Sequence, residues 1–304
     1  MVKIERILQT VASLLAIIFP LSIFFTSSPQ TTSIVCVITL GLLLIIFTFL
    51  FLFTEFRYSM KARYAEALSY IHMAQHIMRD ISYTLLYYDN LPMKVIKGMF
   101  TEVLTNISNA FSLIKGVDCR VSLKLIKVDP NIREDLDDKE RVRYYYVRTF
   151  TRDIKSKIKC QQLDQHSDVN HTIAGNTDFR ELFFMEKGAE RYWICGNIFK
   201  KQGYQNTRFE EGKTVEYHSV IVFPIRKDTT SETNKEHMTC SQDIHGFLCI
   251  DSKSRNIFNR RYDPELGGAI ADALYSVLCA FDMADFEEID RSEKQLPTGK
   301  ESDV

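Results

Sequence analysis

Residues 7–54 read ILQTVASLLAIIFPLSIFFTSSPQTTSIVCVITLGLLLIIFTFLFLFT and contain no charged side chain. The polar break Thr26–Ser33 divides this stretch into two apolar segments, Ile7–Phe25 and Ile34–Phe53, of about twenty residues each. A helix of about twenty residues crosses a hydrocarbon core of ~30 Å, and helices satisfy their own backbone hydrogen bonds in lipid. Residues 1–54 are therefore predicted to form a transmembrane helical hairpin, with the lipid bilayer as a partner.

Basic residues flank this hairpin on both sides. Lys3 and Arg6 precede the first span, and Arg57, Lys61 and Arg63 follow the second. The positive-inside rule then places both termini in the cytoplasm and predicts a multi-pass protein of the cell inner membrane. A cleaved signal peptide is the alternative, but its apolar region would be too long and a second span follows at once.

The composition of the chain limits its partners and its compartment. The 38 basic and 39 acidic residues balance, so no net field favours a nucleic-acid polymer as a partner. The seven cysteines are scattered, without a Cys-x-x-Cys pair. This usage favours a reduced, cytosolic compartment for the part of the chain outside the membrane.

A connector helix is predicted over residues 55–91, with a break at Asp89-Asn90-Leu91-Pro92 before the next helix. Its apolar residues follow a spacing of three and four and form a seam: Met60, Tyr64, Ala67, Ile71, Ala74, Met78, Ile81, Leu85 and Tyr88. This spacing predicts a coiled coil and a homo-oligomer, or alternatively a helix that packs on the chain's own domain. His72, His76 and Asp80 form a row on another face, interpreted as a solvated surface and not as a metal site, since the pattern places no fourth ligand.

Helix and strand patterns then alternate within a domain assigned to residues 92–281. Met93–Lys115 is predicted to be an amphipathic helix that ends at Gly116. Apolar and polar residues alternate over Cys119–Leu125, as in a half-buried strand. The acidic tail 282–304 is predicted to be disordered. The remaining predicted elements are strands at Arg141–Thr151, Arg191–Gly196, Glu216–Ile225 and Ile244–Asp251, and a helix with Asp263 as its N-cap.

Three segments of this domain carry a family resemblance: HTIAGNTDFREL at His171–Leu182, EYHSVIVFPI at Glu216–Ile225 and GFLCIDS at Gly246–Ser252. With the order of helices and strands, they resemble the GAF family. The resemblance implies an α+β fold with a central antiparallel sheet, helices on both faces and a small-molecule pocket. Family members bind cyclic nucleotides, haem, bilins or other small ligands, or serve as dimerisation modules. No Cys or His stands in a chromophore setting here, so haem and bilins are not expected and the cofactor stays open.

The resemblance also suggests which residues would contact a small ligand, a nucleotide among the candidates. Arg180 could pair with a phosphate or carboxylate, and Trp193, the single tryptophan, could stack on a base. Each has a structural alternative: Arg180 a surface ion pair, Trp193 a core aromatic side chain and Asn176 a helix cap. The complete set of predicted ligand-binding residues is Asn176, Asp178, Arg180, Tyr192, Trp193 and His218.

No catalytic motif is apparent, and the chain is not expected to be an enzyme. Gly212-Lys213-Thr214 matches only the end of a phosphate-binding loop, because Thr207 stands where the motif needs a glycine. With no catalytic domain after Phe281, the expected function is a membrane-anchored sensor that signals through a partner or through its own hairpin. The alternative is a nucleotide-gated two-helix membrane effector of the bacterial anti-phage defence type.

Overall fold

The computed structural model of the protein describes residues 13, 29–88, 91–130, 132, 140, 142–162, 171–184, 191–207, 215–226 and 244–279. Three predicted features lie outside these residues: the first span apart from residue 13, the centre of the helix break at residues 89–90, and the tail 282–304. The contacts of the chain divide it into two compact units, residues 1–65 and 66–304. Each unit is described by itself.

The first unit contains the start of α1, a helix of 59 residues that runs Pro29–Tyr87 and includes the whole second predicted span. Its apolar side chains face outward there; Leu44 is 66% exposed and Phe47 68%. Thr48 and Thr54 donate hydrogen bonds to backbone carbonyls four residues earlier, so their hydroxyls are satisfied within the helix. In the part of the chain that the structure describes, α1 alone is long and apolar enough to cross a membrane, by length and composition. The number of spans stays a prediction.

The later part of α1 contributes to the hydrophobic core of the second unit. Ala67, Ile71, Ala74, Met78 and Ile81 are each at most 8% exposed and belong to one core cluster with side chains of the sheet. These apolar residues therefore pack against the chain's own domain, which was the predicted alternative to a coiled coil. The part of the seam from Ala67 to Ile81 is buried in this way and is not free for self-association, whereas Tyr64 and Tyr88 are 46% and 65% exposed. The coiled coil and the homo-oligomer remain predictions.

Helix α2, Met93–Lys115, has the bounds predicted from the sequence. The break before it is confirmed, since α1 ends at Tyr87 and Pro92 precedes the first turn of α2. Gly116 adopts φ 67°, in the left-handed region that favours glycine, and donates its N–H to the carbonyl of Ser112 at 2.8 Å. The predicted C-cap is thus confirmed with its mechanism.

The described strands form one six-stranded sheet in which all neighbours are antiparallel, in the order β3-β2-β1-β6-β5-β4. The mixed α+β class with a central antiparallel sheet is therefore confirmed. Two short elements, β3 and the helix α3 after β2, were not predicted from the sequence. The strands are β1 Arg120–Val128, β2 Tyr145–Arg152, β3 His171–Thr172, β4 Trp193–Cys195, β5 Ser219–Arg226 and β6 Ile244–Ser252. The remaining helices are α3 Ile154–Gln162, α4 Thr177–Phe184 and α5 Asp263–Leu278.

The two faces of the sheet pack against different helices. On the first face, Leu123 and Phe223 share a core cluster with α1, α2 and α5. On the second face, Val222 and Phe247 pack with side chains of α4, including Phe183. Because side chains alternate along a strand, residues next to one another in β5 and β6 serve opposite cores. Both faces are covered by helices, as the family resemblance implied.

Glycine permits close approach at two places in this packing. A Cβ at Gly246 would lie 2.1 Å from the carbonyl oxygen of Lys124 on the neighbouring strand β1. A Cβ at Gly267 of α5 would lie 2.1 Å from the ring of Phe223 on β5. Such distances do not occur for real Cβ atoms, so a side chain at either position would displace its neighbour.

Candidate functional site

A cavity of about 120 Å³ opens on the second face of the sheet, between the strands, α3 and α4. Small-molecule pockets typically measure about 300–1,000 Å³, so this space fits a ligand of few heavy atoms in the present conformation. Its polar and charged lining residues are Arg120, Ser122, Lys124, Arg152, Ser156, Lys159, His171, Asn176, Asp178, Asn206, Glu216, Tyr217 and Asp251.

The floor of the cavity is the polar side of the central strand β1. Arg120, Ser122 and Lys124 alternate with buried residues of the first core and line the cavity instead of meeting bulk solvent. Antiparallel pairing sets Arg152 of β2 opposite Ser122 and Asp251 of β6 opposite Arg120. The strand register therefore brings charges from three strands to one small space.

Four of the charged groups at the cavity are held in two ion pairs. Arg120 contacts Asp251, with Nη2 at 2.5 Å and Nε at 2.7 Å from Oδ1. Glu216 pairs with Lys159 of α3 and lies 3.5 Å from Nη1 of Arg120. Burial raises the pKa of Asp251, an effect that Arg120 partly offsets. The hydrogen bond from Lys159 lowers the pKa of Glu216.

Asp178 is the buried acid of the cavity without such a partner. It is 3% exposed, and its Oδ1 accepts a hydrogen bond from the backbone N–H of Phe179 at 3.0 Å. Among the described residues, no side chain donates a hydrogen bond to it and none forms a salt bridge with it. Burial raises the pKa of Asp178 to about 6, against the opposing effects of the Phe179 N–H and of Lys124. No described side chain donates a hydrogen bond to this buried carboxylate, and a ligand could supply that donor.

Arg152 is the corresponding base on the β2 side of the cavity. Its Nη2 donates to the hydroxyl of Thr149 at 3.3 Å. No described carboxylate lies within salt-bridge distance of its guanidinium group, in contrast to Arg120 with its partner Asp251. Arg152 can therefore still accept a negative charge from a ligand, with the planar geometry that suits a carboxylate.

Neutral hydrogen-bonding groups line the remaining wall near Asp178. Asn206 donates to the hydroxyls of Tyr204 at 3.2 Å and Tyr217 at 3.4 Å. Asn176 donates to the carbonyl of Thr172 at 2.7 Å, and the Asn176 carbonyl accepts from a neighbouring backbone N–H. Burial raises the pKa of both tyrosines, which stay protonated at neutral pH. These groups are neutral, and each is hydrogen-bonded to a neighbouring group. The charge in the cavity therefore comes from its acidic and basic residues, Asp178 and Arg152 among them.

The structure brings two of the six predicted ligand residues together, since Asn176 and Asp178 both line the cavity. The Asn176 side chain donates to the carbonyl of Thr172 and accepts from the N–H of Thr207, and no described N–H of α4 donates to it as the helix-cap alternative requires.

Arg180 does not line the cavity; its Nη1 donates to the carbonyl of Ala174 at 3.2 Å and to Oε1 of Gln205 at 3.0 Å. These partners are neutral, so the surface ion pair given as its alternative is not seen among the described residues.

Trp193, Tyr192 and His218 also lie outside the lining of the cavity. Trp193 is 5% exposed and its Nε1 donates to Glu181 at 2.8 Å, as the core-aromatic alternative requires. The Tyr192 hydroxyl donates to a backbone carbonyl at 3.4 Å, and its ring packs on the first core. His218 packs edge-on against Phe199, with ring centroids 5.1 Å apart. Ligand contact by these residues stays a prediction without support from the cavity.

Sequence reasoning missed the bases on the floor, Arg120, Lys124 and Arg152. The sequence Arg120-Val-Ser-Leu-Lys124 places both of its charged residues on the polar side of a strand. The alternation of apolar and polar residues by itself predicts that this polar side faces solvent, so it does not indicate a cavity. The sheet order shows that β1 lies in the middle of the sheet, where a covered polar side becomes the wall of a cavity.

The histidine row on α1 contains no metal site in the described part of the chain. Nε2 of His72 and Nε2 of His76 lie 2.9 Å apart, and Arg79 contacts Nδ1 of His76 at 2.8 Å. Asp80 lies 3.7 Å from Nε of Arg79. Among the described residues, no group of three His, Cys, Asp or Glu side chains could hold a metal ion.

No protein-family model matches the chain, and no curated protein matches it either. Solved structures similar to it include the GAF domain of an Acinetobacter phosphoenolpyruvate-protein phosphotransferase, with 12% identity, 72% of this chain and 98% of that chain covered, and a TM-score of 0.34. Free methionine-R-sulfoxide reductase from Neisseria meningitidis, in complex with its substrate, shows 12% identity, coverage of 69% and 90%, and a TM-score of 0.36. The A. aeolicus nlh2 GAF domain shows 13% identity, coverage of 68% and 97%, and a TM-score of 0.33. At these values the likenesses carry no weight for function, and they include both GAF domains and an enzyme.

Proposed function

We propose that this protein is a membrane-anchored sensor whose α+β domain binds a small charged ligand in the cavity on the second face of its sheet. The observation that carries the proposal is Asp178, a buried carboxylate in the cavity wall that no described side chain neutralises. A buried charge without a partner costs stability, so a residue of this kind fits a binding role better than a structural one. The apolar part of α1 would attach the sensor to the membrane.

The chemistry of the lining supports binding over catalysis. Cys249 is the thiol that lines the cavity among the described residues, and burial raises its pKa to about 12. A thiol with this pKa is almost entirely protonated at neutral pH and is a poor nucleophile. Tyr217 in the cavity wall and Tyr204 next to it are likewise held in their neutral form.

A thermal-shift experiment on the full chain in detergent tests the proposal. Trp193, the single tryptophan, belongs to the second core, so its fluorescence follows the unfolding of this domain. We expect a ligand in a library of amino acids, organic acids, amines and nucleotides to raise the unfolding temperature, because binding stabilises the folded state by mass action. At a hundred times its Kd, a ligand adds about 2.7 kcal/mol.

A variant that fills the cavity separates specific binding from other effects. Ser122→Leu places a larger side chain on the floor and should abolish the ligand-induced shift. Ser276→Leu, on the exposed side of α5, is the matched control and should keep the shift. A shift that survives in Ser122→Leu, or no shift with any ligand class, would rule out the cavity as the sensing site.

Direct action on the membrane is the second candidate output. One observation favours it: α1 is a single helix from the apolar stretch to Ile81, which is buried in the core of the second unit. A ligand that the domain binds unequally in two states could therefore act on the membrane segment without another protein. Growth and dye leakage, compared between the full chain and a form lacking residues 1–53, test this output. Equal effects of the two forms would leave a sensor that signals through a partner.

A further inference from the structure

Two opposite charges in the cavity, Asp178 and Arg152, form no salt bridge with a described residue, and they lie on different walls. Asp178 is at the start of α4, beside Phe179, whose ring lies 5.9 Å from Nζ of Lys124 on β1. Arg152 lies opposite Ser122, two residues before Lys124 on the same strand. The two residues of β1 that adjoin these walls, Ser122 and Lys124, are roughly 7 Å apart along the strand.

We propose that the ligand of this cavity is a small zwitterion of the amino-acid class, with its ammonium group at Asp178 and its carboxylate at Arg152. The inference rests on the proposed function and specifies its ligand. An ammonium group offers three N–H donors to a carboxylate that has only a backbone donor, and a carboxylate matches the fork of a guanidinium group.

The other simple ligand classes fit the cavity less well. A plain anion at Arg152 would leave the Asp178 carboxylate buried without a partner and would add repulsion inside a space of low polarity. A plain amine at Asp178 would add a positive charge near Lys124 and would bring no carboxylate for Arg152. A nucleotide is larger than a cavity of about 120 Å³ accommodates.

The test uses the full chain in detergent and the unfolding temperature followed by Trp193 fluorescence. The twenty L-amino acids are screened at neutral pH and equal ionic strength, and each hit is compared with its N-acetyl derivative and its amide. The first derivative lacks the positive charge and the second the negative charge, while the side chain is unchanged. We expect the free amino acid to raise the unfolding temperature and neither derivative to do so.

Two variants assign the ends of the ligand to residues. Asp178→Asn and Arg152→Gln should each lower the affinity for the hit roughly 10- to 100-fold, the usual effect of losing a charged hydrogen bond. Glu102→Gln, on the exposed side of α2, is the control and should bind as the wild type does. Unchanged affinity in Asp178→Asn overturns the placement of the ammonium group, and unchanged affinity in Arg152→Gln overturns that of the carboxylate.

A pH titration of the wild type keeps the inference testable if a variant does not fold. Burial raises the pKa of Asp178 to about 6, with Lys124 opposing this and Glu181 reinforcing it, while Tyr204 and Tyr217 remain neutral. Affinity for the zwitterion should therefore fall as the pH drops through about 6. Affinity that stays constant down to a pH well below this value overturns the inference.

The same screen separates failure of the ligand class from failure of the proposed function. If an N-acetyl derivative, an amine, an organic anion or a nucleotide stabilises the wild type as well as any amino acid does, the zwitterion is wrong. If that stabilisation disappears in Ser122→Leu, the cavity is still the sensing site. If no compound of any class stabilises the protein, both proposals fail.

Discussion

The carboxylate of Asp178 accepts a hydrogen bond from the backbone N–H of the next residue, Phe179, at 3.0 Å. A carboxylate at the start of a helix is favoured by the N–H groups of the first turn. Here that benefit is smaller than the cost of burial, because the pKa of Asp178 is raised and not lowered. The site thus keeps a charge that the fold alone does not stabilise.

Replacing this acid by its neutral isostere should make the ligand-free protein more stable at neutral pH. The pKa of Asp178 is raised from 3.8 to about 6, so the folded state holds a proton more tightly than the unfolded state. Stability from this group therefore falls as the pH rises from about 4 to about 6 and stays low above. Asp178→Asn removes a cost on the order of 3 kcal/mol at neutral pH.

Chemical denaturation at two pH values measures this effect. The gain in unfolding free energy of Asp178→Asn should be present at neutral pH and should be mostly lost near pH 4, where the carboxyl is neutral in the folded state and about half protonated in the unfolded state. A variant that is less stable than the wild type at neutral pH would show that Asp178 has a stabilising partner.

The end of α1 should behave as part of the domain core. Ile81 is 1% exposed, so Ile81→Ala is expected to lower the unfolding free energy by about 2–5 kcal/mol. Leu86, on the same helix, is 70% exposed, and Leu86→Ala should change the unfolding free energy by less than about 0.5 kcal/mol. Denaturation of the two variants provides the comparison. If Ile81→Ala only weakens self-association and leaves stability unchanged, the coiled-coil interpretation would be restored.

Trp193 should affect stability and not ligand binding. Trp193→Phe removes the hydrogen bond from its Nε1 to Glu181 and part of the contact with Tyr204. The expected loss in unfolding free energy is about 1–3 kcal/mol, because the acceptor is left without its donor. Circular dichroism measures unfolding in this variant, which has no tryptophan. Loss of the ligand-induced shift without loss of stability would place Trp193 in the binding site after all.

The cysteines should differ sharply in reactivity. Burial raises the pKa of Cys119 and of Cys249 to about 12, so at mildly alkaline pH almost none of either thiol is ionised. Cys279 is exposed. Alkylation of the folded protein followed by peptide mass spectrometry should label Cys279 first, and Cys119 and Cys249 only after denaturation. Early labelling of Cys249 would reveal a reactive thiol in the cavity.

The apolar part of α1 should hold the protein in membranes. Its side chains are outward-facing, and the stretch is long enough to cross a hydrocarbon core. We expect the protein to stay in the membrane fraction after carbonate washing. A reporter fused after Val304 should be active in the cytoplasm, in accordance with the basic residues that flank residues 7–54. Release by carbonate would contradict the anchor, and an active reporter outside the cytoplasm would contradict the orientation.

Local patterns in the sequence were sufficient for the elements whose signals are local. The bounds of α2 and its cap at Gly116 follow from a helical period and a glycine in the left-handed region. Helix α3 was missed because Ile154 and Ile158 are its two large apolar residues, both exposed, and they define no buried face. It is positioned instead by Asp153, whose carboxylate accepts from backbone N–H groups on β1 and at the start of α3.

The site could be predicted only in part, because its position depends on contacts between strands that are distant in sequence. Asn176 and Asp178 lie in one segment and were found together. Pairing of β1 with β2 brings Arg152 beside Ser122, and pairing of β1 with β6 brings Asp251 beside Arg120. The sequence around an aromatic residue such as Trp193 does not distinguish a side chain buried in the core from one that stacks on a ligand.

The close contact of Gly267 with Phe223 makes two neighbouring glycines of α5 unequal in their tolerance to mutation. At Gly268 a Cβ would meet no atom within 4 Å, so alanine there should favour the helix by roughly 0.5–1 kcal/mol. At Gly267 the same methyl group would press on the ring of Phe223, which is 1% exposed. Alanine at Gly268 is therefore a candidate substitution for higher thermal stability. At Gly267 a side chain would push α5 and β5 apart, so the absence of a Cβ there sets the distance between the helix and the sheet.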